Sequence, residues 1–495
     1  DHRDLHSFPT RRSSDLALTR KLDVAWSVRF GVGAAVVSQF VFLLLALHWA
    51  TRPVVAGSIA VWLGAVMIWL RPWPPKGDLP RLPAIAWPVV LGYGALYAIH
   101  GAAPEIQPDG YTYHLGLVKR WLATGGLTPE VGFYEMLPQG MEALFFLHAL
   151  FFGLEGMKLL HAVFILAGAW AIYDLGVRLG VTPWPAALWW ACSPVVGITG
   201  TAAYNDVALG YAVVCTVNLL WSGQGRLAAL LAGWCYALKL PGFVYAAAAF
   251  VYVAARKRWR ETVVAAILVT AMIAPWMVRT AAMSGNPVAP LYNRWFPNEH
   301  FHVNTEEVTV SYLRTYGVGW MDRGWEVVMG GQKTTGLLGP VFLLTPLAVL
   351  ALRHPQGRWL WGAALVALVP WLANAGTRFL IPAAALLAIL IAMVLPRRVA
   401  VVLTLAHALL CWPSVIPLYA DQHAWRLRSL PWRAALGWEP ADAYLTRELW
   451  EYRVARMVNR HVSPGEPVLD FLGLPDLYTE ARPMRTWQYA KADAA

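Results

Sequence analysis

The sequence has 495 residues, of which 58% are hydrophobic and 14% are charged, with a mean hydropathy of +0.46. A soluble protein of this length could not bury so much apolar surface, and apolar runs of about twenty residues are typical of polytopic membrane proteins. The net charge of +11 does not indicate a nucleic-acid partner, because the basic residues form short clusters between apolar runs. Such clusters are the orientation signal of membrane proteins.

The first residues, DHRDLHSFPTRRSSDL, have neither an initiator methionine nor a signal-peptide pattern. They resemble translated adapter sequence, so residues 1–16 are interpreted as a non-native segment outside the fold. The cysteines lie in apolar runs without CxxC spacing, which indicates small buried residues and no disulfide or zinc framework. They are Cys192, Cys215, Cys235 and Cys411.

Apolar runs predict an all-α transmembrane domain over residues 17–419, with about 13 membrane-spanning helices. In chain order the runs are Trp26–Trp49, Val54–Leu70, Ala84–His100, Gly156–Leu179, Trp184–Gly200, Val207–Trp221, Leu227–Ala254, Ala265–Val278, Gly336–Leu352, Trp359–Ala373, Phe379–Leu395 and Val399–Leu418.

The run Leu227–Ala254 is too long for one crossing and short for two, with KLPG at its centre. A single crossing would move every later basic cluster to the other side of the membrane. Two crossings keep all basic clusters on one side, as the positive-inside rule favours. We therefore predict two short helices that meet at Lys239–Gly242, a cytoplasmic N-terminus, and an outer location for Lys239.

Two polar loops, residues 103–155 and 280–335, then share the outer side with a C-terminal domain over residues 420–495. In the first loop, Tyr111–Leu122 has the pattern of an amphipathic surface helix with Lys119 and Arg120 opposite its apolar face. The C-terminal domain is predicted to contain a helix over Ala441–Val462 and a strand over Pro467–Leu472.

Three outer carboxylates are candidates for chemistry, and each has a simpler interpretation. Asp109 precedes the amphipathic helix and could be its N-cap. Asp206 begins the sixth span and could also be a cap, with Asn205 as competitor. Glu135, with Tyr113 and His114 nearby in the same loop, could be an exposed loop residue.

Three cations are expected on the same side. An unpaired lysine at membrane depth costs about 2.5–3.5 kcal/mol, so Lys239 should reach the surface or find an anionic partner. Arg279 and Arg378 flank the same surface. Cations beside carboxylates suit a phosphate held by the cations and a hydroxyl activated by a carboxylate.

The second loop offers Glu299, His300 and His302, which could bind a divalent cation such as Mg²⁺ or Mn²⁺. Their spacing is loose, and solvated loop side chains are the competing interpretation. The histidines in apolar runs are interpreted as hydrogen-bonded core residues; they are His148, His161 and His407.

Several segments resemble bacterial integral-membrane glycosyltransferases of the GT-C fold, in the family related to protein O-mannosyltransferases and the lipid A aminoarabinose transferase. The resemblance covers about Trp26 to Leu418. The segments are QPDGYTYHLGLVKRWLATGGLTP, FYEMLPQGMEALFFLHALFFG, YNDVALGYAV, ALKLPGF, APWMVRTAAMSGNPVAPLYNRWF and TRFLIPAAALLAIL.

The resemblance implies that Asp109 is the catalytic base, which deprotonates an acceptor hydroxyl for in-line, inverting attack on the sugar. It implies a polyprenyl-phosphate leaving group stabilised by Lys239, Arg279 or Arg378. Many members have a second acid after the first, where this sequence has Gly110, and Asp206 is a candidate replacement. Members with a Glu-Lys-Pro-Pro motif have a lysine where Met136 stands here.

The sequence therefore predicts a transferase of the bacterial inner membrane that moves a sugar from a polyprenyl-phosphate donor to an envelope lipid, polysaccharide or protein on the periplasmic face. Two alternatives stay open. A transporter or flippase of lipid-linked sugars would use the same charged groups for binding without chemistry. A membrane scaffold in envelope assembly would use the C-terminal domain as its binding module.

Overall fold

The computed structural model of the chain describes residues 25–70, 80–256, 258–420, 430–471 and 473–485, with side chains described except at 62–70. The predicted non-native segment 1–16 lies outside the described residues. Helices make up nearly all of the regular structure in the described ranges, and the strands are confined to the C-terminal part.

The first half of the described chain contains α1 to α10, and Ala84–Ala86 adds one 3₁₀ turn before α3. The helices are α1 Trp26–Ala46, α2 Arg52–Leu70, α3 Trp87–Ala102, α4 Leu115–Thr124, α5 Gly140–Phe152, α6 Met157–Arg178, α7 Pro183–Ala191, α8 Pro194–Gly200, α9 Asp206–Trp221 and α10 Gly225–Leu238.

The second half contains α11 to α20 and a parallel strand pair. The elements are α11 Phe243–Ala255, α12 Trp259–Ser284, α13 Val303–Leu313, α14 Trp320–Trp325, α15 Pro355–Ala373, α16 Ile381–Val394, α17 Arg397–Leu410, α18 Trp432–Ala435, α19 Ala441–Glu448, α20 Trp450–His461, β1 Pro467–Asp470 and β2 Arg482–Arg485.

Helices lie at the predicted spans, and among the described residues five are long and apolar enough to cross a bilayer by length and composition. They are Trp26–Ala46, Ala84–Ala102, Met157–Arg178, Trp259–Ser284 and Thr377–Val394. Two spans differ from prediction in form. The fifth is not continuous, because Cys192 and Ser193 separate α7 from α8, which begins at Pro194. The run from Gly336 is a 3₁₀ helix over Pro340–Arg353.

The centre of the bundle is formed by α9, α10 and α16, which are buried along most of their lengths. Helix α16 packs against α7, α9 and α15, and the Trp190 indole on α7 donates to the carbonyl of Ile381 at 3.0 Å. Because these helices face protein rather than lipid on all sides, they fix the position of the residues at their ends.

The prediction that the seventh run is divided at KLPG is confirmed. Lys239 has extended backbone angles between α10 and a 3₁₀ turn over Leu240–Gly242, after which α11 begins. A Cβ at Gly242 would lie 1.9 Å from the carbonyl oxygen of Cys235, so only glycine allows this tight return. The break places the Lys239 side chain at the end of the buried α10.

The C-terminal part packs against the first polar loop. The Leu477 amide donates to the carbonyl of Tyr111 at 3.0 Å, and the Tyr478 hydroxyl donates to that of Glu105 at 2.8 Å. Lys119 donates to two carbonyls of the same segment at 3.2 Å. The predicted helix over Ala441–Val462 is wrong as one element, because the extended residue Leu449 separates α19 from α20.

Candidate functional site

The first polar loop turns back into the protein at Asp109. A π-helical turn over Gly110–His114 continues into α4. The pattern predicted a helix on the membrane surface, whereas α4 is buried within the protein at Leu115, Val118 and Trp121. The Asp109 side chain makes no capping hydrogen bond, so the N-cap interpretation is wrong. At the start of α9, no side-chain capping hydrogen bond is made, so the cap interpretation of Asp206 and Asn205 is also wrong. The Asn205 side chain donates to the carbonyl of Leu238 at 2.9 Å.

Asp109 forms an ion pair with Arg378, and Lys239 forms an ion pair with Asp206 at 2.5 Å. We call these four residues the Asp109 cluster. Asp206 is 3% exposed, Lys239 16%, and the Asp109–Arg378 pair 23–24%. The predicted anionic partner of Lys239 is therefore Asp206, and the more accessible half of the cluster is Asp109 with Arg378.

Aromatic rings hold the two cations close to each other. The Lys239 ammonium lies 4.4 Å and the Arg378 guanidinium carbon 5.8 Å from the centroid of the Phe379 ring. Arg378 also lies 5.6 Å from the Tyr204 ring. Cation–π contacts favour the charged form of both groups without neutralising it.

The other predicted loop residues, Tyr113 and His114, lie close enough to Asp109 to interact with its charge. The Tyr113 ring stacks on Tyr134 with centroids 3.7 Å apart, and the buried His114 hydrogen-bonds Glu142 on α5 at 2.5 Å. Burial and the charge of Asp109 raise the pKa of the Tyr113 hydroxyl well above its usual value. Tyr113 therefore stays protonated and able to donate a hydrogen bond.

Glu135 is buried rather than exposed, which corrects the simpler interpretation of this residue. Its carboxylate pairs with Arg120 at 2.6 Å, and Arg279 donates to its backbone carbonyl at 2.7 Å. Arg120 also lies 3.9 Å from Asp476, which pairs with Arg485. We call these five residues the Glu135 cluster. The structure thus places Arg279 here, and not beside Lys239 and Arg378 in the Asp109 cluster.

Charge sets the ionisation of the two loop acids. Burial alone would raise the pKa of Asp109, but the adjacent Arg378 guanidinium outweighs it and holds the pKa below its usual value. The pKa of Glu135 is likewise lowered, because the charge and hydrogen bond of Arg120 outweigh burial. Both carboxyl groups are therefore ionised at neutral pH.

The space beside Gly110 explains the missing second acid. A Cβ at Gly110 would lie 2.6 Å from the Glu105 carboxyl group, so a side chain there would collide with it. Glu105 is buried and accepts hydrogen bonds from the amides of Ile106, Gln107 and Ala203. It thereby connects the Asp109 loop to the segment just before Asp206.

The sequence interpretation missed Glu105 as a part of the site, together with Arg120 and Phe379. The sequence did contain one indication of Glu105. Gly110 stands where many related sequences have an acid, and a glycine there leaves room for another side chain. Met136, in place of the family's lysine, is buried, with 1% exposed, and its backbone carbonyl accepts from Thr280.

The suggested metal ligands are not assembled into one site. Within the described ranges, no group of three His, Cys, Asp or Glu side chains could hold a metal ion. Glu299 is 85% exposed and lies 3.7 Å from His300, while His302 is exposed. The apolar-run histidines bond to backbone carbonyls; His161 bonds to Ala202, His407 to Trp189 and His148 to Glu155.

The Asp109 cluster combines groups with complementary chemistry. An ionised carboxylate that is partly exposed can accept a proton from a hydroxyl. A guanidinium and an ammonium that both lie near one aromatic ring can stabilise a phosphate. These three groups come from the first loop, the end of α10 and the 3₁₀ turn Thr377–Leu380 before α16, so the bundle brings together residues 269 positions apart in the chain.

Structural comparison identifies the fold. The apo structure of ArnT from Cupriavidus metallidurans matches with a TM-score of 0.52 and 15% sequence identity, over 81% of this chain and 85% of that one. ArnT bound to undecaprenyl phosphate matches with 0.49 and 14%, over 81% and 86%. The mycobacterial arabinofuranosyltransferase AftD matches with 0.42 and 17%, over 82% of this chain and 32% of AftD.

No protein-family model matches the chain, and no curated protein matches it significantly in sequence. The likeness to apo ArnT shows the fold, and the predicted GT-C architecture is confirmed. The chain is a polytopic, all-α membrane protein.

Proposed function

We propose that the protein is a membrane glycosyltransferase that moves a sugar from a polyprenyl-phosphate donor to an envelope acceptor. The observation that carries the proposal is the Asp109 cluster, in which an ionised, partly exposed carboxylate lies next to two cations. A carboxylate base and a cationic phosphate site are the two parts that such a transfer requires.

In the proposed reaction Asp109 accepts the proton of an acceptor hydroxyl as its oxygen attacks the anomeric carbon in line. The bond between that carbon and the phosphate oxygen breaks, and the configuration inverts. The leaving polyprenyl phosphate gains a negative charge, which Lys239 and Arg378 stabilise. Tyr113 and His114 support Asp109, and the proton on Asp109 is then released to water.

Donor binding would also change the base. In the structure Arg378 is paired with Asp109. A donor phosphate that takes over part of the Arg378 guanidinium would weaken this pair, and the negative phosphate nearby would raise the pKa of Asp109. A base with a higher pKa accepts a proton more readily. The pair would therefore hold the base weak until the donor is bound.

The fold supports a lipid-linked donor. ArnT, whose apo structure shares this fold, has also been solved with undecaprenyl phosphate. The sequence pattern of basic clusters supports a periplasmic site in a bacterial inner membrane. Asp206 and Glu135 have roles in holding Lys239 and the loop, and Arg279 acts through Glu135. Dependence on Mg²⁺ or Mn²⁺ stays a prediction.

The test is transfer by purified protein in nanodiscs from a panel of radiolabelled polyprenyl-phosphate sugars, with wild type, Asp109→Asn and, as matched control, Glu299→Gln. We expect Asp109→Asn to lose about 10²- to 10⁴-fold in turnover, the usual contribution of a general base, while donor binding and melting temperature are retained. The exposed Glu299→Gln variant should keep wild-type activity.

Full activity of Asp109→Asn would remove Asp109 as the base. If no sugar is transferred but labelled donor crosses proteoliposome membranes in a protein-dependent way, the flippase alternative replaces this proposal. Mass spectrometry of envelope glycans and lipids from cells with and without the protein identifies the acceptor class.

A further inference from the structure

A second charged feature lies where α3, α7 and α17 begin. A cleft of about 450 Å³ is lined there by Arg81 and Arg397, with Trp184, Thr182 and Pro83 among its other walls. The backbone of Arg81 is held by the Tyr173 hydroxyl, to which its amide donates at 3.0 Å. The cleft is therefore formed by packed elements of the bundle, not by one loop.

The floor of the cleft is a small apolar cluster separate from the main core. Ala86, Trp184 and Leu188 are buried together, and Val401 of α17 packs against them. This contact fixes the spacing of α3, α7 and α17, and with it the spacing of the two arginines. The site is thus formed by residues at the starts of α7 and α17 and in the segment that leads into α3.

The cleft is positively charged. Within the described part of the chain, the lining contains two arginines and no acidic residue, and both arginines are exposed. Among the residues that the structure describes, no carboxylate pairs with Arg397. A guanidinium pair of this kind suits a phosphate group, which it can bind through several hydrogen bonds.

The surroundings indicate that the phosphate belongs to a lipid. On α3 and the turn before it, Ile85 and Trp87 are 46% and 47% exposed; on α17, Val399 and Val402 are 43% and 66% exposed. These apolar side chains continue outward from the cleft along two helices. A headgroup in the cleft would therefore place its acyl chains against apolar protein surface.

The cleft lies at the other end of α3 from the candidate site. Helix α3 begins beside the cleft at Trp87 and runs for 16 residues, about 24 Å, before the chain enters the loop that contains Asp109. The feature is consequently distinct from the Asp109 cluster, and its function does not depend on glycosyl transfer.

We propose that the cleft between α3, α7 and α17 is a binding site for the phosphate headgroup of an anionic phospholipid, with Arg81 and Arg397 as its ligands. The chemistry that it recognises is a phosphodiester next to acyl chains. Basic pockets between membrane helices are suited to such headgroups, and Trp184 provides an interfacial wall.

The test is native mass spectrometry of the detergent-purified protein titrated with phosphatidylglycerol, cardiolipin or phosphatidylethanolamine. The wild type, Arg81→Gln/Arg397→Gln and the control Arg353→Gln/Arg358→Gln are compared; the control arginines are also exposed but do not line the cleft. A basic residue contributes about fivefold to binding at an anionic surface, so the cleft variant should bind anionic lipid about 25-fold more weakly. The control should change less than about fivefold in the same titration.

Equal affinity of wild type and cleft variant for anionic lipid would overturn the proposal, and so would an equal loss in the control, which would show general charge attraction only. A third arm adds inorganic phosphate. If millimolar phosphate binds the cleft and displaces bound lipid completely, the ligand is a soluble phosphate and not a headgroup. Wild-type preference for phosphatidylglycerol over phosphatidylethanolamine is measured in parallel, so the result does not rest on the variants alone.

Discussion

The Asp109 cluster and the Glu135 cluster lie in the same loop region but differ in construction. In the Asp109 cluster, acids and cations face each other through side chains, and the Asp109–Arg378 pair is about one quarter exposed. In the Glu135 cluster, the 3%-exposed acid pairs with Arg120 while Arg279 is bound to backbone carbonyl. The C-terminal Asp476 adds a further contact to Arg120.

The difference indicates different roles. A partly exposed side-chain pair can exchange one partner for a ligand, because water and ligand reach it. A buried acid in a network that includes backbone and a second part of the chain stabilises the fold. Removing one partner of such a pair leaves an unpaired buried charge, which is destabilising. Substitution in the Asp109 cluster should therefore reduce chemistry, and substitution in the Glu135 cluster should reduce stability.

After Asp109→Asn, the largest effect is expected from Arg378→Gln. Loss of a preorganised charge at the leaving phosphate costs about 10²- to 10³-fold in turnover. The pH profile provides a second measurement. Arg378 holds the pKa of Asp109 below its usual value, so its removal leaves burial dominant and raises that pKa. Because the ionised carboxylate is the active form, the acidic limb of the rate should move to higher pH.

If the acidic limb of the pH–rate profile stays at the wild-type pH in Arg378→Gln, Asp109 is not the titrating base, even if the rate falls. The control is Arg314→Gln, which removes an exposed arginine from the second loop. It should alter neither the rate nor the limb.

The next effect is expected from Glu135→Gln. The substitution leaves Arg120 and Arg279 without their carboxylate neighbour, and breaking a buried pair costs about 3 kcal/mol. The melting temperature in detergent should fall by several degrees, whereas turnover of the folded fraction should stay within about tenfold of wild type, because Glu135 belongs to a different cluster from Asp109. If the melting temperature is unchanged but turnover falls as far as in Asp109→Asn, Glu135 takes part in the reaction instead.

A smaller effect is expected from Gly110→Ala. The added methyl group would lie within van der Waals collision distance of Glu105, and overpacking typically costs about 1–3 kcal/mol. The double variant Gly110→Ala/Glu105→Ala removes the collision but also the acceptor of three backbone amides. If the single variant is as stable as wild type in thermal unfolding, Glu105 does not occupy this space rigidly.

The smallest effect is expected from the triple variant Glu299→Gln/His300→Ala/His302→Ala. These side chains lie on the second loop, and Glu299 is 85% exposed. Transfer should stay within about twofold, because surface substitutions away from a site change little. A large loss that added Mg²⁺ or Mn²⁺ reverses at high concentration would restore the metal prediction for these residues.

Much of the fold followed from the sequence because membrane helices are read from local composition. Apolar length located the helices, and charge bias located the break at Lys239. The break within Trp184–Gly200 was missed, because an apolar run looks the same whether Pro194 begins a new helix or only bends one. The partner strand β2 was missed since a four-residue strand has almost no pattern of its own.

The candidate site was less predictable, because its contacts are not local. Charge and order along the chain placed Asp109, Lys239 and Arg378 on one surface. They could not show that Arg378 pairs with Asp109 while Lys239 pairs with Asp206. Nor could they show that Glu135 is buried, since its burial comes from the packing of Arg120 and residues near the end of the chain.

The contact between Tyr478 and Glu105 spans 373 positions of the chain, which has a consequence for biogenesis. During synthesis the Asp109 loop is made long before its partners in the C-terminal part. Contacts of such separation form late, because the intervening chain must first be ordered. The loop therefore stays incompletely packed around Glu105 until Tyr478 has been synthesised, and a chain stalled before that residue would lack this contact.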